Sequence, residues 1–158
     1  MVNNLLDLEK MIQPYIAKAL KLTGDTIYSK LKEKVDAYYN EPVFSEPDKK
    51  EPGVYQRTNT LKDSLFEPII TQEKSNTILT TGFEDDYLFF EYTGNPQWKK
   101  NKPATGKDVL EWFNASSHGG TVKGSHDFWD EALNELGGEQ GIIDLFKQNC
   151  KRVGLPIK

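Results

Sequence analysis

Along residues 5–39 apolar side chains recur at steps of three and four, through Leu5, Leu8, Ile12, Ile16, Ala19, Leu20, Ile27, Leu31, Val35 and Tyr38. That spacing draws one stripe along a helix of 3.6 residues per turn. Two features interrupt it. Pro14 has no amide hydrogen to donate, so it kinks a helix or opens a new one. Thr23-Gly24-Asp25 is a second weak point, although a glycine inside a helix costs only about 1 kcal/mol. The pattern predicts one long, bent helix, with two helices as the alternative.

The stripe ends where "EPVFSEPDKKEPG", residues 41–53, brings three Glu-Pro steps. Each removes a backbone donor and disfavours helix at the glutamate, which predicts a mobile, solvated loop. In "VYQRTNTLKDSL", residues 54–65, Thr60 and Asp63 have the spacing of a capping box. They predict a short helix carrying Leu61 and Leu65. Asn59 just before it belongs to the few non-glycine residues that tolerate a left-handed backbone. Residues 66–83 read as a hairpin, with Ile69, Ile70, Ile78 and Leu79 flanking the polar turn Glu73–Asn76. "YLFFEYTGNP", residues 87–96, is too short to show whether its period is helical or extended.

Four further segments complete the chain. Thr105 and Asp108 repeat the capping-box spacing ahead of a helix bearing Val109, Leu110, Trp112 and Phe113. "ASSHGGTVKGSH", residues 115–126, is a flexible Ser-, His- and Gly-rich loop. Ser125 is placed to cap a helix with Phe128, Trp129, Ala132, Leu133 and Leu136, stopped by Gly137-Gly138. A last helix spans about Gln140–Val153 and closes at Gly154 and Pro156. The expected fold class is α+β: a long N-terminal helix packed on a small antiparallel β-sheet, with further C-terminal helices. The expected organisation is one domain over 1–158. It comprises the long helix (1–40), the Pro-rich loop (41–53), an α+β core (54–136) and a C-terminal helical extension (139–158).

Composition narrows the chemistry. The 158 residues carry 37 % hydrophobic and 11 % aromatic side chains, enough for a core without disulfide or metal. A net charge of −4 argues against general attraction to nucleic acid. Cys150 is the only cysteine, so no internal disulfide forms. The N-terminus lacks the basic-then-apolar layout of a secretory signal, and no apolar run approaches a membrane span, which predicts a soluble protein used without export.

Candidate catalytic groups are sparse. His118 and His126 lie in or beside a Gly-rich loop, read as solvated, and no helix sets both on one face for a metal. Ser117 beside His118 lacks the third, orienting group that nucleophilic catalysis requires. Glu84, Asp85, Asp86 and Glu91 could be read as a carboxylate pair, but a solvated acidic turn accounts for them better. No cofactor and no enzymatic activity are expected. Trp98, Lys99, Lys100 and Lys102 form a basic aromatic loop with three readings: a solvated loop with a packed indole, a protein contact, or a nucleic-acid contact by stacking and phosphate pairing.

The order of parts resembles the small tail-completion, or head–tail joining, proteins of long-tailed bacteriophages and prophages. Arg57-Thr58-Asn59-Thr60-Leu61-Lys62-Asp63-Ser64 is similar to the family's Arg-Thr-Gly-x-Leu-x-x-Ser motif, with Asn59 in place of glycine. Tyr87…Glu91-Tyr92-Thr93-Gly94 is similar to its Tyr…Glu-x-Gly segment with one extra residue. Phe128-Trp129-Asp130-Glu131-Ala132 resembles its aromatic-x-x-x-Ala helix. The resemblance covers roughly residues 5–136. It implies a structural virion assembly protein at the tail terminus or head–tail junction, made in the bacterial host cytoplasm and resident in the tail or neck. Its implied partners are other tail or connector proteins, with a homo-oligomeric ring when assembled, no membrane, and nucleic acid only in the tail lumen. Ring closure needs two different complementary faces. Within this picture Arg57, Thr58 and Asn59 hold a turn that lies near a subunit boundary with Glu91 and Gly94, so Asn59→Val is expected to destabilise it. The alternative function is a nucleic-acid-binding module using the basic loop 98–102.

Overall fold

Residues 5–41, 59–88, 105–114 and 126–157 are described by a computed structural model, the Phe113 side chain excepted. The predicted N-terminal helix is one continuous element, α1, Leu5–Asn40, with Pro14 inside it. It runs unbroken through Thr23-Gly24-Asp25, so the two-helix alternative is not adopted. The hydroxyls around this point are satisfied within the helix: Thr23, Thr26 and Ser29 each donate to the carbonyl four residues back, at 2.9, 3.1 and 2.8 Å. That bond lets Thr23 lie buried in the apolar stripe between Ala19 and Ile27.

The hairpin forms as its sequence predicts. Strand β1 spans Leu65–Glu73 and strand β2 Asn76–Phe83, joined by Lys74 and Ser75. A two-residue connection favours positive φ, and Lys74 adopts φ 54°. Just ahead of β1, helix α2, Thr60–Asp63, is a single turn. Leu65, expected on that helix, instead opens β1 and is buried there. A turn of 3-10 helix, Asp85–Leu88, follows β2.

Helix α3, Gly106–Asn114, starts at the predicted capping box. The Thr105 N–H and Oγ1–H both donate to Asp108 Oδ2, at 2.9 and 2.8 Å, and the Asp108 N–H returns to Thr105 Oγ1 at 3.3 Å. Aspartate therefore serves where glutamate is usual. Helix α4, Phe128–Glu135, is capped by Asp127, whose Oδ1 accepts the Asp130 N–H at 3.1 Å. The sequence assigned that role to Ser125, which lies outside the described residues. Leu136 and Gly137, the latter at φ 88°, separate α4 from α5, Gly138–Arg152, whose first residue takes φ 66°. Helix α5 closes in a Schellman motif: Leu155 N–H to Cys150 O at 2.9 Å and Gly154 N–H to Lys151 O at 3.1 Å, with Gly154 at φ 93°.

These elements fall into two compact units. The first takes α1 up to Leu31, the hairpin over 67–82, and the chain from Ala132 onward. In it α1 lies along the hairpin. Gly24 meets Pro68 and Leu79, and Gln13 Nε2 donates to Lys74 O at the hairpin tip, 3.2 Å away. Helix α5 packs on α1 through a buried polar pair, Asn149 Nδ2 to Thr23 Oγ1 at 3.1 Å. Lys30 and Glu135 add an ion pair at 3.4 Å. The second unit takes residues 32–66 and 83–131. Its core is Val35, Tyr38, Leu61, Leu88 and Phe128, with Tyr39, Phe83, Val109 and Leu110 against it. Fully burying each large member contributes about 1.5–3 kcal/mol.

Candidate functional site

Of the predicted interface residues Asn59 alone is described. Arg57, Thr58, Glu91, Gly94, Trp98, Lys99, Lys100 and Lys102 lie outside the described residues, as do the Pro-rich segment and His118. The structure does place the points from which those stretches depart. Glu41 and Asn59 bracket 42–58, Leu88 and Thr105 bracket 89–104, and Asn114 and His126 bracket 115–125. All six belong to the second unit. Each is within four residues of its core: Tyr38, Leu61, Leu88 itself, Val109, Leu110 and Phe128. One small aromatic core thus roots every stretch that carries a predicted contact residue.

The rooting is specific at His126. Its ring stacks on Phe128, with centroids 5.8 Å apart and planes 19° apart, and meets Tyr38 edge-on at 5.0 Å. Nε2 stands 3.4 Å from Glu41 Oε2, with only 12 % of the histidine side chain exposed. The expectation of a solvated loop histidine is therefore corrected: aromatic neighbours bury it. Tyr38 also packs edge-on against Tyr39 and Phe128, at 5.4 and 5.7 Å. Such pairs are worth about 0.5–1.5 kcal/mol beyond area burial.

Ser64 is the second root. It closes the Arg57–Ser64 motif and is fully buried, with Oγ donating to Leu61 O at 2.7 Å. Its carbonyl accepts the Glu84 N–H at 2.8 Å, which ties α2 to the end of β2. Lys62 reaches Asp36 at 2.6 Å, and that hydrogen bond raises the lysine pKa. The described residues of the motif, Asn59 to Ser64, thus include a buried serine and a lysine that tie α2 to its surroundings. Asn59 departs from expectation too: it is the N-cap of α2 at φ −78°, ψ 6°, on the right-handed side, with no side-chain capping bond. The left-handed role inferred from its stand-in for glycine is not the one it plays.

The acidic turn is held in place by the start of α3. Glu84, Asp85 and Asp86 are exposed, with Tyr87 beside them. Gly106 sits so close that a Cβ there would come within 2.6 Å of Asp85 Cα and 2.7 Å of its carbonyl oxygen. The start of α3 is thereby seated on the 3-10 turn. Among the described residues no group of three or more His, Cys, Asp or Glu side chains could hold a metal ion. No described helix is long and apolar enough to cross a membrane.

A family model described as YomN matches residues 4–152. The chain belongs to the YomN family. The match begins one residue before α1 and ends on the last residue of α5, so it takes in every described element. Helix α5, outside the stretch covered by the sequence resemblance, falls within the YomN match. Membership supports a structural phage tail-associated protein. No curated protein and no solved structure matches the chain.

Proposed function

We propose that this YomN-family protein acts at the tail terminus or head–tail junction of a long-tailed phage or prophage, as a non-catalytic assembly component. It is made in the host cytoplasm and incorporated into the tail or neck. There it contacts tail or connector proteins and closes into a homo-oligomeric ring. The observation that carries this reading is that the two stretches with candidate contact residues, 42–58 and 89–104, both begin and end at residues next to one aromatic core. Anchoring long segments at both ends on a fixed core lowers the ordering cost of docking, because fewer arrangements are lost on binding.

The test is electron microscopy of lysates from a phage or prophage lacking this gene, with and without complementation. Filled heads beside unattached tails, or tails of irregular length, are expected, with intact particles restored by the wild-type gene. Normal infectious particles from the deletion would overturn the assembly role. Intact particles that fail to retain or deliver DNA would transfer the assignment to the nucleic-acid reading of Trp98, Lys99, Lys100 and Lys102.

A further inference from the structure

We draw no further inference here: the strongest candidate, the exposed apolar face on the first turns of α1 around Leu5, Leu8, Met11 and Tyr15, carries none, because nothing in the structure shows what covers it.

Discussion

Replacing Gly24 with alanine sets two effects of known size against each other. In an exposed helix interior the change stabilises by about 1 kcal/mol, because alanine restricts the unfolded chain. Here the new Cβ would stand 2.6 Å from Leu79 Cδ1, 2.7 Å from Pro68 Cβ and 3.1 Å from Pro68 Cγ. The leucine tip can turn aside. The proline ring cannot, so the hairpin must retreat by about 1 Å to regain ordinary carbon contact near 3.5–4.0 Å. Overpacking of this kind costs about 1–3 kcal/mol. Set against the propensity gain, overpacking leaves a net loss of up to about 2 kcal/mol and a Tm lower by up to about 8 °C for a chain of this size. Thermal and urea unfolding measure the net, and hydrogen exchange of the hairpin amides locates it. In a Leu79→Ala background part of the loss should disappear, with a coupling above 0.5 kcal/mol in the double-mutant cycle. A raised Tm for Gly24→Ala would refute the reasoning, since helix propensity would then have governed a site where contact was argued to dominate.

Other expectations follow from the same geometry. Thr23→Val leaves the Asn149 amide buried without its acceptor and should cost about 1–3 kcal/mol in urea unfolding. Asp108→Ala removes the two capping-box bonds that its carboxylate accepts, while the N–H of position 108 can still reach Thr105 Oγ1, and should cost about 1 kcal/mol, seen as faster amide exchange in the first turn of α3. Asn59→Ala should change stability by less than about 0.5 kcal/mol, because no side-chain cap is lost and φ −78° suits any residue. A loss above 1 kcal/mol would restore the special turn that the sequence suggested. Burial pushes the Cys150 thiol above its ordinary 9.0, so above about pH 9 the folded chain holds more protons than the unfolded one and stability falls. The Lys62 ion pair contributes fully below 10.5 and is lost as pH rises through the lysine's raised value. Tm measured across alkaline pH should decline in that order, and Cys150→Ala should remove the earlier part.

What the sequence determined by itself is local. Three- and four-residue periodicity specified α1, and the Glu73–Asn76 turn specified the hairpin. Thr105 with Asp108 specified the start of α3, and Gly137-Gly138 and Gly154 specified where helices end. Each of these signals acts within a few residues, through backbone bonds or a single helical face, so neighbours in sequence suffice to reveal it. Errors came where two acceptable choices compete at short range: Asp127 rather than Ser125 as cap, and Leu65 as strand rather than helix. The tertiary structure decided the rest. Only packing against Pro68 and Leu79 makes Gly24 more than a weak helix residue, and only the approach of α5 makes Thr23 and Asn149 partners across 126 positions. His126 and Ser64 are polar residues whose burial no local pattern announces, because their neighbours come from distant parts of the chain. The same holds for Leu5 and Leu8, which extend the apolar stripe of α1 in sequence yet stand exposed, because burial depends on what distant parts of the chain bring against each turn.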